Sequence, residues 1–314
     1  MTHAPIMSVI VPCYNAGRTI AETLQCVIEQ TFSDWEAIVL DDGSTDDSGM
    51  VAESFARRAP RMRVMRRANN GVSATRNAGA SVASGRYIAF LDADDRWHPA
   101  YLQRLAAHLQ RRPDIGISFA VARIIDPEGR PTGSTSSRQP GPFTTFDFLS
   151  SNPTTTCSNL IVRRDVFNAL GGFREDLCHA EDQLFLIRAH LASIVIEGCA
   201  ETLVDYRVNA SGLSSDLEAM RHGWEFMAAQ ALLEAPDIIG PLMPRARALN
   251  LCYLARRALR LQGTSDPWRY MAGALRSDWR VVLARPWPTI PLTAACWLAS
   301  MSRRRLPSFA EKSP

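Results

Sequence analysis

The amino-acid sequence predicts an α/β fold, in which helices flank a mostly parallel sheet and a helical extension follows at the C-terminal end. In the first part of the chain, short apolar runs alternate with helical patterns of about 10–15 residues, which is the order of elements in a parallel sheet. Three of these runs end in a polar cluster, and the pattern from Asp216 onward is helical. Hydrophobic residues make up 46% and charged residues 21% of the chain, which is ordinary for a globular protein.

Three apolar runs are the predicted strands that matter for function. They read MSVIV, WEAIVL and YIAFL, and they are followed by the polar clusters PCYN, DDGS and DADD. Because the carboxyl ends of parallel strands open onto one crevice at the edge of the sheet, we expect the three polar clusters to lie close together. The sequence therefore predicts a single site at this edge.

The acidic cluster Asp92–Asp95 is the candidate for a metal site. Carboxylates are the ligands that hard divalent cations such as Mg²⁺ or Mn²⁺ prefer, and such an ion offsets the charge of a leaving diphosphate. The alternative is an acidic turn that caps the next helix. Two further polar clusters at equivalent positions favour the metal site.

The other clusters offer contacts for a nucleotide. Asp42 can bind a base or a ribose, with Gly43 permitting close approach of the backbone, although Asp and Ser also suit the cap of a helix. Tyr14 and Asn15 can pack on a base or bond to it, or they form a simple turn. Arg76 can bind a phosphate with its guanidinium fork, unless it is a residue of a helix surface.

A second acidic pair, Glu181 and Asp182, opens a predicted helix. Acids at a helix N-terminus are stabilised by the helix dipole, so a structural role is one interpretation. The functional interpretation is a general base that accepts the proton of an acceptor hydroxyl.

Taken in order, these motifs resemble glycosyltransferase family 2, a family of inverting enzymes with the GT-A fold. The resemblance covers roughly residues 6–215. The matching segments follow the family's order and approximate spacing: SVIVPCYNAG, LDDGSTDDS, NNGVSATRNAGASVASGRYIAFLDADD, GGF and ED. Each motif alone is moderately specific, whereas the ordered set is strongly specific.

The resemblance implies roles for the residues that match. Pro12, Tyr14 and Asp42 correspond to contacts with the nucleotide base. Asp92 corresponds to the ribose-side acid of the D-x-D motif, and Asp94 corresponds to the metal ligand, which implies Mn²⁺ or Mg²⁺ as cofactor.

The resemblance extends to the acceptor side of the site. Asp182 corresponds to the catalytic base of the E-D motif. Arg207, with Ser211 or Ser214, resembles the segment that closes over the diphosphate. Departures from the family pattern are Arg174, where an acid usually follows GGF, and Leu184, and both put the acceptor preference in doubt. The absence of a Q-x-x-R-W motif from the sequence argues against a processive polysaccharide synthase.

We therefore predict a metal-dependent, inverting, non-processive glycosyltransferase of the hexosyltransferase type. Its donor is a nucleotide-diphosphate sugar, preferably a UDP-sugar, and its acceptor is a hydroxyl of a glycan or a lipid-linked glycan in cell-surface polysaccharide or glycoconjugate synthesis. Two other classes stay open. One is a nucleotidyltransferase that makes nucleotide sugars, although VPCYNAGRT lacks a Gly-rich phosphate loop, and the other is an inactive nucleotide- or sugar-binding module.

The predicted domains are a catalytic domain over residues 1–215 and a basic, mostly helical extension over residues 216–314. Within the catalytic domain, we assign the nucleotide-sugar half to about residues 1–125 and the acceptor half to about residues 126–215. The N-terminus lacks a signal-peptide pattern and the seven cysteines are scattered without a C-x-x-C pair, which predicts a cytoplasmic protein with reduced thiols.

The C-terminal part of the chain carries an unusual charge. Residues 241–314 have a formal net charge of +10, so the preceding residues carry −7. Arg303–Arg305 directly follow the apolar segment Leu292–Met301, and several tryptophans lie nearby. This pattern predicts a helix at an anionic membrane surface, peripheral at the cytoplasmic face. The alternative is a tail that packs on the catalytic domain with a solvated Arg face; a nucleic-acid partner is not expected.

Overall fold

A computed structural model describes residues 4–209, 215–261, 266–284 and 286–304. The predicted diphosphate-closing residues Ser211 and Ser214 lie outside the described residues, as does Arg305. The chain divides into two compact units, residues 1–148 with 152–213 and residues 149–151 with 214–314. The assignment of donor and acceptor halves within the first unit stays a prediction.

The first unit is built on a mixed nine-stranded sheet. Its strands are β1 Met7–Cys13, β2 Trp35–Asp41, β3 Met62–Arg66, β4 Tyr87–Phe90, β5 Arg96–Trp97, β6 Ile115–Ile125, β7 Pro131–Thr135, β8 Ile161–Arg163 and β9 Val195–Arg207. The helices in this part of the chain are α1 Ile20–Ile28, α2 Ser48–Arg58, α3 Val72–Ser81, α4 Tyr101–Arg111, α5 Thr145–Ser150, α6 Arg164–Ala169 and α7 Glu181–Leu191.

The strand order β3-β2-β1-β4-β8-β6-β9-β5, with β7 beside β6, confirms the predicted α/β fold. Strands β1 to β4 pair in parallel and form the half of the sheet that the alternating pattern predicted. The other half is mixed, because β8 pairs antiparallel with β4 and β6 whereas β6 and β9 are parallel. The N-terminal four strands therefore supply the edge at which the polar clusters meet.

Helices cover both faces of the parallel half. Because successive side chains of a strand point to opposite faces, Val9 and Val11 of β1 join the core that includes Leu24 of α1. Ile10 points the other way, toward α3. A Cβ at Gly79 of α3 would lie 2.5 Å from the Ile10 side chain, so only glycine lets α3 pack this closely on the strand.

An aromatic cluster links the centre of the sheet to helix α7. Phe90 at the end of β4 packs against Phe167 of α6 and Phe173 of the GGF turn, with ring centroids 5.5 and 5.1 Å away. Phe185 of α7 lies 5.1 Å from Phe173, measured between ring centroids. Buried aromatic rings contribute large apolar areas, so this cluster fixes α7 against the carboxyl end of β4.

The second unit is helical, as the pattern after Asp216 predicted. Its helices are α8 Leu217–Glu234, α9 Pro236–Ile239, α10 Met243–Arg260, α11 Pro267–Ser277, α12 Val281–Ala284 and α13 Pro286–Arg304. Leu254, Tyr270, Met271 and Cys296 are buried in a common core from α10, α11 and α13. Among the described helices, none has both the length and the apolar character that a membrane span requires.

Candidate functional site

The loops after β1 and β2 are held together by hydrogen bonds. The Asn15 backbone amide donates to Ser44 Oγ at 3.0 Å, and the Thr45 amide donates to Asn15 Oδ1 at 2.8 Å. Asn15 has a φ of 48°, a left-handed conformation that asparagine tolerates better than most residues. The structure thus brings two of the predicted clusters together and uses the Asn15 side chain to join them.

The other predicted base contacts lie at the same edge of the sheet. Pro12 is buried in β1 opposite Leu40 of β2, whereas the Tyr14 side chain just beyond the strand is 53% exposed. The buried Asp42 carboxylate accepts from the backbone amide of Gly71 at 3.0 Å and lies 3.4 Å from Nε of Arg67. Asp42 therefore ties the end of β2 to the start of α3, and its contact with a base stays a prediction.

The acidic cluster after β4 contains three carboxylates in different environments. Asp95 is fully buried and accepts from the Arg207 amide at 2.8 Å, and burial followed by the charge of Asp94 holds its pKa well above the ordinary value. Asp94 is partly buried and accepts from Asn209 Nδ2 at 3.2 Å. Burial and then the charge of Asp92 raise the pKa of Asp94 to about 6.

This arrangement fits a divalent cation that the substrate helps to hold. A positive charge beside Asp94 would relieve the repulsion that raises its pKa. Within the described parts of the chain, no group of three or more His, Cys, Asp or Glu side chains forms a metal cage. Mg²⁺ usually keeps several waters and takes only one or two carboxylates from the protein, besides substrate phosphates, so a single carboxylate such as Asp94 fits this mode of binding.

Arg76 is buried between the two acidic motifs. Its Nη2 donates to Asp92 Oδ1 and its Nη1 donates to Glu181 Oε1, both at 2.6 Å. The residue is only 3% exposed, so Arg76 is not a helix-surface residue. Both terminal nitrogens are engaged with carboxylates, so the structure assigns Arg76 a clamping contact, and its contact with a phosphate stays a prediction.

Arg207 is likewise buried in a network of acceptors. Its Nε donates to the Asp94 carbonyl at 2.8 Å, its Nη1 to the Pro127 carbonyl at 2.7 Å and its Nη2 to Glu22 Oε2 at 2.8 Å. These bonds hold the end of β9 against the acidic cluster. Arg207 therefore supports the backbone of Asp94, while a contact with the diphosphate stays a prediction.

Asp182 lies in the first turn of α7, next to Glu181 and partly buried. Its Oδ2 accepts from Asn152 Nδ2 at 2.7 Å, and its Oδ1 accepts from the Gln183 amide at 2.7 Å. Burial, and then the charge of Glu181, raise the pKa of Asp182 to about 7 despite the nearby Arg76. A carboxylate with such a pKa is matched to accepting a proton near neutral pH.

Three residues at the site were missed from the sequence. Asn152 holds Asp182, Asn209 holds Asp94, and Ser158 Oγ accepts from the Asp92 amide at 2.9 Å. All three are small polar residues in segments without strong periodicity. The local signal for Asn152 and Ser158 is the polar composition of NPTTTCSN, and Asn209 lies in the sequence VNASG after β9; neither stretch indicates what each side chain contacts.

The mixed sheet with its parallel half, and the helices around it, form a GT-A fold, the fold of a class of glycosyltransferases. The fold matches S. aureus TarS 1–349 in complex with UDP-GlcNAc, with a TM-score of 0.63 and 21% identity over 95% of this chain and 91% of that one. It also matches the mannosyltransferase PcManGT from Pyrobaculum calidifontis in complex with GDP-Man and Mn²⁺, with a TM-score of 0.58 and 18% identity over 96% and 89% of the two chains.

Within this class, the chain belongs to glycosyl transferase family 2, whose model matches residues 8–171. The predicted family is therefore confirmed. EpsJ of Bacillus subtilis (strain 168), named as an uncharacterized glycosyltransferase, is 43% identical over 107 residues, which is 34% of this chain and 31% of EpsJ. The Escherichia coli protein WfgD, named as a UDP-Glc:alpha-D-GlcNAc-diphosphoundecaprenol beta-1,3-glucosyltransferase, is 27% identical over 71% of this chain and 85% of WfgD. The chain thus spans less than a third of the length of EpsJ.

Proposed function

We propose that this protein transfers a single sugar from a nucleotide-diphosphate donor to a hydroxyl of a glycan or lipid-linked glycan, with inversion at the anomeric carbon. The observation that carries the proposal is the pairing of two acidic motifs across one buried arginine. Arg76 binds Asp92, two residues before Asp94, and Glu181, the residue before Asp182. One acid is placed for the donor diphosphate and the other for the acceptor.

Asp182 acts as the general base in this proposal. When ionised, its carboxylate accepts the proton of the acceptor hydroxyl as that oxygen attacks the anomeric carbon. The bond from the anomeric carbon to the diphosphate oxygen breaks in the same displacement, so a single step inverts the anomeric centre. Positioning by Asn152 and the Gln183 amide leaves the carboxylate little freedom to turn away.

Asp94 holds the metal in this proposal, Arg207 supports its backbone through the Asp94 carbonyl, and Asp92 is the acid on the ribose side of the donor. A bound Mn²⁺ or Mg²⁺ would supply positive charge that stabilises the departing nucleoside diphosphate. PcManGT is a neighbour of the same fold whose complex contains Mn²⁺, which supports a divalent cation here.

A UDP-sugar is the preferred donor and a lipid-linked glycan the preferred acceptor. TarS supports the first choice, because its complex contains UDP-GlcNAc. WfgD supports the second, because its name describes transfer of glucose to a sugar on diphosphoundecaprenol. This chemistry places the protein in the synthesis of cell-surface polysaccharide or glycoconjugate.

Helix α13 supports a membrane surface as the partner of the second unit. Among residues 289–301, whose side chains the structure describes, the exposed side chains span about 120° of the helix at 100° per residue, and they are Ile290, Pro291, Ala294, Trp297, Leu298 and Met301. The buried face instead holds Thr289, Leu292, Cys296 and Ser300. The face in contact with solvent is thus more apolar than the face that packs, the reverse of an ordinary surface helix.

Charge favours an anionic lipid surface as the partner of this face. The apolar segment is bounded in sequence by Arg285 and Arg303, and residues 279–310 contain no acid. An apolar helical face in a segment flanked in sequence by arginines suits a helix that lies among anionic lipid headgroups. A second copy of the chain would carry the same net positive charge in this segment, which disfavours self-association. Binding to a membrane would bring the protein to the surface in which a lipid-linked acceptor is embedded.

A donor screen tests the proposed function. The full chain is incubated with UDP-, GDP- and dTDP-sugars, with Mn²⁺ and in excess chelator, and release of the nucleoside diphosphate is measured. We expect release from one nucleotide class, dependent on the metal. Release of pyrophosphate from a sugar phosphate and a nucleoside triphosphate would instead identify a nucleotidyltransferase. If the protein binds a nucleotide sugar but does not turn it over with any acceptor tested, it is an inactive binding module.

A further inference from the structure

We propose that Asn152 is a positioning residue that aims the Asp182 carboxylate and favours its charged form. The inference deepens the proposed function and rests on it where it concerns catalysis. The structural part of the inference is that the Asn152 amide sets the direction and charge of the Asp182 carboxylate, and this part does not depend on the proposed function.

The Asn152 amide is itself held in one orientation. Its Oδ1 accepts from the Thr154 amide at 3.0 Å and from Thr154 Oγ1 at 2.7 Å. Because a carbonyl oxygen must receive these two donors, the amide nitrogen is turned toward Asp182 Oδ2, 2.7 Å away. The hydrogen bonds within the loop therefore fix the orientation of the Asn152 amide that donates to Asp182.

The loop that carries Asn152 also reaches the acidic cluster after β4. Thr156 Oγ1 lies 3.4 Å from Asp95 Oδ2, and Ser158 Oγ accepts from the Asp92 amide at 2.9 Å. One short segment thus contacts the base at one end and the donor-side acids at the other. It sets the base relative to the position proposed for the diphosphate.

Backbone strain lies on both sides of the Asn152–Asp182 contact. Thr155 has a φ of 72° and Ala180, directly before Glu181, has a φ of 62°. A β-branched residue rarely adopts this left-handed conformation, and such strain persists only where the surroundings enforce it. Such strain is expected where the loop that carries Asn152 and the start of α7 are held in fixed positions.

Within the part of the chain that the structure describes, the charged and titratable groups that act on Asp182 include Glu181, Arg76 and Cys157. Glu181 disfavours a negative charge on Asp182, and Arg76 favours it. Arg76 is already bound to Glu181 and Asp92, so the side-chain hydrogen bond to Asp182 comes from the neutral Asn152. A hydrogen bond to the ionised form lowers the pKa of a carboxyl, and removing it has the opposite effect.

The test compares Asn152→Ala, which removes the donor, with Asn152→Asp, which keeps the shape and replaces the donor by an acid. The Asp182 carboxyl is titrated by ¹³C NMR and identified by its loss in Asp182→Asn, and the pH dependence of kcat/KM is measured in parallel. We expect the carboxyl midpoint and the acidic limb of the rate to rise by about one pH unit in Asn152→Ala. At pH 7 the rate should fall about fivefold, and at pH 9 it should stay within about twofold of wild type.

Asn152→Asp should shift both midpoints at least as far, since it adds a like charge. The matched control is Asn168→Asp, which adds the same charge at an exposed position of α6 and should move neither midpoint. Unfolding curves check that every variant is folded, and the isosteric Asn152→Asp keeps the test valid if the alanine variant is unstable. An unchanged carboxyl midpoint in the folded variants would overturn the inference. A shifted carboxyl midpoint with an unshifted rate profile would leave the inference standing and overturn Asp182 as the base.

Discussion

The Nη1 atom of Arg76 lies 2.6 Å from Oε1 of Glu181, and this contact joins helix α3 to the start of helix α7. The other arm of the guanidinium binds Asp92 at the same distance. Glu181 precedes the proposed base, and Asp92 lies two residues before the proposed metal ligand. One buried cation therefore fixes the separation between the two acidic motifs.

Replacing Arg76 should destabilise the first unit strongly. In Arg76→Met, the buried Glu181 and the partly buried Asp92 lose their shared positive partner, and breaking a buried ion pair in this way costs about 3–5 kcal/mol. We expect a loss of this size in the free energy of unfolding measured by urea titration. Arg57→Met on the exposed face of α2 is the control and should change that free energy by less than about 0.5 kcal/mol. Equal urea midpoints for the two variants would show that Arg76 is not a clamp.

The strand ends could be predicted from the sequence, and the contacts across the site could not. Each predicted strand is followed directly by its polar cluster in the chain. The hydrophobic pattern and the expected parallel topology were therefore sufficient to predict that Asp42 and Asp92 lie at the same edge of the sheet. The hydrogen bond from Asn152 to Asp182 joins residues 30 apart, and the bond between Ser158 and Asp92 joins residues 66 apart. No local pattern encodes such pairs, because they depend on how the loop after α5 folds back over the sheet.

The contacts of Arg76 also could not be predicted from the sequence. The sequence placed Arg76 near the polar clusters of the predicted site, and the residue does lie between two acidic motifs of that site. The acid that its Nη1 binds is 105 residues away, so the sequence alone gave no reason to prefer a clamp over a phosphate contact. The mixed half of the sheet was also beyond prediction, since parallel and antiparallel partners of a short apolar run have the same local sequence pattern.

Donor binding should depend on a divalent cation and on Asp94. We expect Mn²⁺ or Mg²⁺ to strengthen UDP binding in calorimetry, and Asp94→Ala to remove most of that gain, because the carboxylate and the diphosphate share the ion. Asp114→Ala, at an exposed acid paired with Arg112, is the matched control and should bind as wild type does. Equal UDP affinity in Mn²⁺ and in excess chelator would refute the metal proposal.

Removing the basicity of Asp182 should stop transfer without stopping donor binding. Asp182→Asn keeps the shape of the side chain, and we expect the rate of sugar transfer to fall by at least about 10²-fold. The calorimetric affinity for the donor should stay near that of wild type. NMR of the anomeric proton in the wild-type product should show inversion relative to the donor. Normal transfer by Asp182→Asn would assign Asp182 to a helix-terminal role and place the base elsewhere.

The rate of transfer should fall as the pH drops below neutrality. The pKa of Asp182 is raised to about 7, chiefly by burial, so the carboxyl gains a proton and loses its basicity below that pH. We expect kcat/KM to decrease about tenfold per pH unit on the acidic side and to reach a plateau above pH 8. Measurement between pH 5 and 9 at saturating Mn²⁺ checks this. A profile flat from pH 5 to 7 would be incompatible with Asp182 as the base.

The exposed face of α13 should bind anionic membranes. Trp297 and Leu298 are 49% and 58% exposed on this face, and burying such side chains contributes about 1.5–3 kcal/mol each. Trp297→Ser with Leu298→Ser should therefore reduce binding of the full chain to vesicles of phosphatidylglycerol and phosphatidylcholine by at least about tenfold in co-sedimentation. Salt should weaken the wild-type interaction, because the flanking arginines contribute about 1 kcal/mol each near an anionic surface.

Leu233→Ser, at a side chain 76% exposed on α8, is the control and should bind as wild type does. Failure of the wild-type chain to bind at low salt would refute the membrane proposal, and self-association abolished by the double substitution would identify a second copy as the partner of this face.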